Sequence, residues 1–91
     1  MTHAVVLIEA ERDALTTLGG ALAGLDGVAE AYSVTGEWDF VAIVRVTRHE
    51  QLAEVITGTI VPLTGVSRTQ TMVAFEVFSE HDLEAMFSIG Q

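Results

Sequence analysis

The chain contains no cysteine and no lysine. The first absence excludes disulfides, thiolate metal sites and cysteine nucleophiles. The second leaves Arg12, Arg45, Arg48 and Arg68 as the fixed cations against thirteen acids, for a formal net charge of −9. Proteins that grip nucleic acid neutralise phosphates with basic side chains, so this balance argues against direct DNA or RNA contact. It argues equally against an anionic membrane surface. No apolar run approaches the roughly 20 residues of a membrane helix. The opening Met-Thr-His lacks the basic flank and apolar core of a signal peptide. A cytoplasmic protein is therefore expected. Proline is almost absent as well, with Pro62 alone. Histidine is sparse, and His3, His49 and His81 fall in separate stretches without ligand spacing, so no metal site is expected. No serine–histidine–acid set is apparent, and no cofactor is implied.

What is abundant is apolar surface. Hydrophobic residues make up 49% of 91 residues. A chain of that length is one small domain, read here as residues 1–91, and it cannot hide so many apolar side chains in one subunit.

Ala4-Val5-Val6-Leu7-Ile8 is a short β-branched run and reads as a buried strand. Asp13 is placed to cap a helix whose stripe is Leu15, Leu18, Leu22 and Leu25. Gly19-Gly20 interrupts that stripe at about 1 kcal/mol per glycine, which marks either close approach of the helix to a sheet or a frayed or kinked helix. A second strand is expected over 28–35, with Val28, Glu30, Tyr32 and Val34 on one face. A third, apolar on both faces, is expected over 40–46. The loop between them is short, which makes the pair an antiparallel hairpin. Thr47 to Glu50 has capping-box spacing, ahead of a second stripe of Leu52, Val55, Ile56, Ile60 and Leu63. A long last strand is expected over 67–78. Ser79 can then cap a short tail helix carrying Leu83, Met86 and Phe87.

The order is strand, helix, strand, strand, helix, strand. It carries an internal echo, Leu25-x-Gly27-Val28 and Leu63-x-Gly65-Val66, each ending a helix. Two such split βαβ units predict a ferredoxin-like α+β sandwich with a short C-terminal extension. Its four-stranded antiparallel sheet would carry both helices on one face. The strands are apolar on both faces, so the uncovered side of the sheet needs a partner, and a homodimer is expected.

The stretch from Leu25 to Asp39 (Leu-Asp-Gly-Val-Ala-Glu-Ala-Tyr-Ser-Val-Thr-Gly-Glu-Trp-Asp) resembles the effector-binding domain of the Lrp/AsnC family of transcriptional regulators, the RAM domain. Gly65-Val66-Ser67-Arg68-Thr69-Gln70-Thr71 is similar to that family's second motif. Asp26 stands where proline is common, and Trp38 where tyrosine or phenylalanine is usual. The resemblance covers about residues 5–78. The family's N-terminal helix-turn-helix has no counterpart here, so the resemblance implies a stand-alone effector domain.

It also implies sheet-paired dimers, rings of dimers (commonly octamers), and a small effector, usually an amino acid, held between dimers. Co-assembly with a full-length regulator is a further expectation. The matching positions are Gly36, Trp38, Asp39, Thr69 and Thr71. Asp39 can accept from an ammonium group or tie the turn. Gly36 lets the backbone approach a carboxylate. Trp38 is a ligand wall or an interface anchor. Thr69 and Thr71 offer hydroxyls, or are strand formers. The other class kept open is a small dimeric ferredoxin-like enzyme, such as a cofactor-independent or haem-linked monooxygenase, in which His3, Trp38 or His49 would matter. A purely structural oligomer is the third.

Overall fold

The computed structural model describes residues 1–79. Its strands are β1 (Thr2–Ala10), β2 (Val28–Ser33), β3 (Phe40–Val46) and β4 (Val66–Val73). The helices are α1 (Leu18–Ala23), preceded by a 3-10 turn at Arg12–Ala14, and α2 (Gln51–Val55), which runs on into a π-helical turn at Ile56–Ile60. The strands form one antiparallel sheet in the order β2-β3-β1-β4. This is the ferredoxin-like α+β arrangement, with β1 and β3 central as their apolar sequences require.

Alternation along the strands builds the core. Ala4, Val6 and Ile8 of β1 and Phe40, Ala42, Val44 and Val46 of β3 are buried beneath Leu18 and Leu22 of α1 and Leu52, Val55, Ile56 and Ile60 of the second helix. Their neighbours Val5, Leu7, Val41 and Ile43 alternate to the other face and are only half-buried. Met72 and Tyr32 extend that bare face and are 47% and 48% exposed. Register places Met72 beside Val5 and Tyr32 beside Val41.

Several local expectations are corrected. The first helix is broken into a 3-10 turn and a later α-helix, so Ala14 takes the core position and Leu15 is 46% exposed. Neither segment has a side-chain cap, and Asp13 lies inside the 3-10 turn. Gly19 does permit close approach, since a Cβ there would lie 3.1 Å from the Phe40 ring, whereas Gly20 faces open space. A β-bulge at Ala29 shifts register between Val28 and Glu30. Val28 is thereby buried with the helices, while Glu30 and Tyr32 point to the bare face. The expected capping box is closed by Gln51, not Glu50: its Oε1 accepts from Thr47 Oγ1 and from the Arg48 N–H, both at 2.9 Å.

β4 ends at Val73, and the Ala74 N–H extends the ladder by one bond, donating to the His3 carbonyl at 2.9 Å. Phe75, Val77 and Phe78 are exposed instead of continuing a strand. The tail helix expected after Ser79 lies outside the described residues.

The two Leu-x-Gly-Val junctions share one geometry. Gly27 and Gly65 have φ of +89° and +101°, a region closed to most side chains. A Cβ on Gly27 would sit 2.5 Å from Val55 Cγ2, and one on Gly65 2.6 Å from Ala14 Cβ.

Candidate functional site

β2 ends at Ser33 and β3 begins at Phe40, so residues 34–39 make the connection. The Val34 N–H donates to the Asp39 carbonyl at 3.0 Å and closes it. Gly36 lies at its tip with φ +108°, exposed, and with no atom near the position of a Cβ. The tip is therefore open on the side where a ligand's backbone-like groups could approach.

Asp39 is held from two directions. Its N–H donates to the Ile8 carbonyl at 2.9 Å. Its Oδ2 accepts from the Ala10 N–H at 2.8 Å in a half-buried setting. One carboxylate oxygen thus ties the turn to the end of β1, and Oδ1 takes no part in that bond.

The turn is also tied to the far edge of the sheet. β4 lies on the other side of β1 from β3, and Arg68 of β4 reaches across to place its guanidinium 4.3 Å from the centroid of the Trp38 ring. Arg68 Nη2 lies 3.3 Å from Glu9 Oε2 and 3.7 Å from Glu37 Oε1. A bulge in β4 at Ser67, where register slips between Glu9 and Ala10, turns the Ser67 hydroxyl onto Glu9. Ser67 Oγ donates to the Glu9 carbonyl at 3.0 Å and lies 3.3 Å from Glu9 Oε1. The result is one cation held between an indole and the carboxylates of Glu9 and Glu37.

Thr69 and Thr71 lie on the helix side of β4, opposite Ile8 and Val6. Thr71 lines an open groove of about 410 Å³ between the second helix and the edge strand, with His49, Leu52, Ala53, Ile56 and Val73. Within one chain the structure brings Gly36, Trp38 and Asp39 together but leaves Thr71 on a separate surface. His3 is on the bare face beside Arg45. Among the described residues no three of His, Asp and Glu converge as metal ligands, and no helix is long and apolar enough to cross a membrane.

Arg68 and Glu9 are additions that sequence reading missed. Arg68 carries a usable signal, because it is one of four cations and falls inside the second motif. Glu9 reads from sequence as part of a solvated acidic run. A second polar cluster sits on the bare face: Tyr32 donates to Glu30, which pairs with Arg45 at 3.3 Å. The hydrogen bond to Glu30 raises the Tyr32 pKa above its usual 10.0, with desolvation acting in the same direction.

The family model for the Lrp/AsnC ligand binding domain matches residues 3–83. Uncharacterized HTH-type transcriptional regulators of Pyrococcus furiosus and Pyrococcus abyssi are 33% and 30% identical to it over 82 residues. That is 87% of this chain but 55% of each regulator, so the chain spans about half the length of these curated relatives. A crystal structure of a Thermus thermophilus protein superposes with a TM-score of 0.80 at 45% identity, covering 88% of this chain and 100% of that one. A feast or famine regulatory protein from M. tuberculosis, complexed with L-methionine, superposes with a TM-score of 0.69 at 25% identity, covering 88% of this chain and 54% of that one.

Proposed function

The chain belongs to the Lrp/AsnC ligand-binding domain family, and from that premise we propose that it is a non-enzymatic effector-binding and assembly module serving transcriptional regulation of amino-acid metabolism. Its effector is an amino acid or a close relative of one. The observation that carries this reading is the composition of the turn. Gly36 offers open backbone, Asp39 a carboxylate whose Oδ1 is not used by the Ala10 tie, and Trp38 an apolar wall beside a cation. An α-amino acid presents an ammonium and a carboxylate side by side, and this surface offers partners for both. The L-methionine complex of the mycobacterial relative supports the same ligand class. Thr69 and Thr71 would join the site from a neighbouring subunit, since Thr71 is on a separate surface within one chain.

Assembly is the second half of the proposal. The bare face carries Val5, Leu7, Val41, Ile43, Tyr32 and Met72, an apolar patch that a second copy would cover. The dimers would then associate into larger rings, alone or with full-length family regulators in the cytoplasm. DNA contact would come from such partners, because a net charge of −9 opposes it here.

A thermal-shift screen against the proteinogenic amino acids tests the ligand, since a molecule that binds only the folded state raises Tm by mass action. Saturable stabilisation by one amino acid or a small group is expected. No shift with any of them at millimolar concentration would overturn the reading. Light scattering tests assembly, and a stable monomer at micromolar concentration would refute it.

A further inference from the structure

We infer that Arg68 is the residue that binds the effector's carboxylate, and that Glu37 is a built-in competitor for the same guanidinium. This rests on the proposed function above and names the chemistry of the same site.

The geometry distinguishes the two acids on Arg68. Glu9 is the closer partner: its Oε2 accepts a hydrogen bond from Nη2 at 3.3 Å, and its other oxygen lies 3.3 Å from Ser67 Oγ, which donates to the Glu9 carbonyl. Glu37 is the loose one. It lies 3.7 Å from the same Nη2, beyond hydrogen-bond range, and its side chain is 69% exposed. A guanidinium presents five donors in a planar fork, and both contacts here use one nitrogen. Among the described residues no acceptor takes the remaining donors, which suit a bidentate carboxylate, the geometry Arg favours.

Trp38 makes the exchange practicable. Stacked 4.3 Å from the ring centroid, the guanidinium is held in orientation by a contact that does not use its N–H groups. Replacing Glu37 therefore need not release Arg68 from the turn.

The charge balance selects the ligand. Glu9 and Glu37 both face one cation, and Asp39 follows Trp38 in the same turn, so a simple anion is repelled by the acids it must pass. A zwitterion avoids that penalty. Its carboxylate takes the position of Glu37 on Arg68, and its ammonium then lies among the displaced Glu37 and Asp39. One loose ion pair is exchanged for two, with no net change in charge. An amine without a carboxylate gains nothing from Arg68, and a carboxylate without an amine must displace Glu37 uncompensated.

The test is calorimetric titration of the whole protein with L-methionine, L-methioninamide and methylthiobutanoate, for the wild type and for R68Q, R68K and E37Q. The wild type is expected to prefer L-methionine over its amide by about tenfold or more, the scale of one charge-assisted hydrogen bond. R68Q should bring that preference close to unity, and R68K, which keeps the charge but not the planar fork or its stacking on Trp38, should retain only a minor part of it. E37Q should bind methylthiobutanoate more tightly than the wild type does, because the competitor is gone. Circular dichroism checks folding, and the exposed E37Q keeps the test decisive should R68Q fail to fold. An R68Q protein that keeps the wild-type preference, or an E37Q protein no better at binding methylthiobutanoate, overturns the inference and leaves the effector reading standing. A wild type that binds neither L-methionine nor any other amino acid overturns both.

Discussion

Replacing Asp39 separates two roles that meet in one side chain. Asp39→Ala removes the acceptor of the Ala10 N–H, a bond of 2.8 Å in a half-buried position. A hydrogen bond to an ionised group contributes roughly 1.5–3 kcal/mol. Water can reach a site this close to the surface and take up part of the loss, so about 1.5–2 kcal/mol is expected. For a domain of 91 residues, that lowers Tm by roughly 6–16 °C. Asp39→Asn keeps an acceptor oxygen but loses the charge, and should cost about half as much.

The assay is urea unfolding at fixed protomer concentration, because association makes apparent stability concentration-dependent. An unchanged m-value would show that stability alone has moved. Exchange of the Ala10 amide should accelerate in the alanine variant and much less in the asparagine variant. Amino-acid binding should behave differently, since an ammonium needs the charge: both variants should lose it. Asp39→Ala with wild-type stability would refute the structural tie. Asp39→Asn with undiminished binding would refute the ligand role while leaving the tie intact.

Further outcomes follow from the backbone and from the bare face. Gly65→Ala forces a side chain into φ +101° with its Cβ 2.6 Å from Ala14 Cβ, and should destabilise by about 2–4 kcal/mol in chemical denaturation. Gly20→Ala, in a helix and facing open space, should instead stabilise by up to about 1 kcal/mol. Tyr32 is the one tyrosine, so tyrosinate absorbance reads it alone. Its midpoint should lie above the usual 10.0, and Glu30→Gln should lower it because the hydrogen bond to Glu30 is the main cause. A folded-state pKa raised above the unfolded value contributes stability that is present below about pH 10 and lost as pH rises through the folded value. Unfolding should therefore become easier in strong alkali in the wild type more than in the variant.

The sheet order was legible because each half of the chain ends its helix with Leu-x-Gly-Val, and the two glycines meet a backbone need that few residues can meet. The core was legible because β1 and β3 alternate with period two and the second helix keeps Leu52, Val55, Ile56 and Ile60 on one face. The start of the first helix was not, because Leu15 fits a helical period that the 3-10 turn interrupts, and no residue marks that break. The bulge at Ala29 was invisible for a similar reason. A one-residue slip leaves the pattern of side chains unchanged while reversing which face Val28 occupies. The end of β4 at Val73 was hidden by Phe75, Val77 and Phe78, whose strand-forming character finds no partner strand among the described residues. In the 34–39 connection, the proximity of Gly36, Trp38 and Asp39 was readable because they are neighbours in sequence. Glu9 was not, and Arg68 was visible only as a cation inside the second motif, because both reach the turn through the register of β4 on β1, which no local spacing reveals.

The π-helical turn at Ile56–Ile60 has a consequence for how the chain can change in length. The Val61 N–H donates to the Ile56 carbonyl at 2.9 Å, five residues back rather than four, so this turn stores one residue beyond what an α-helix would hold. Thr57, Gly58 and Thr59 carry that surplus on the exposed side, while Ile56 and Ile60 keep their places in the core. Loss of one of the three would let the turn close as ordinary α-helix without moving the Gly65 junction or the register of β4. The second helix thus has a slack point at which a one-residue deletion can be absorbed, and the strand that carries Arg68 is insulated from it.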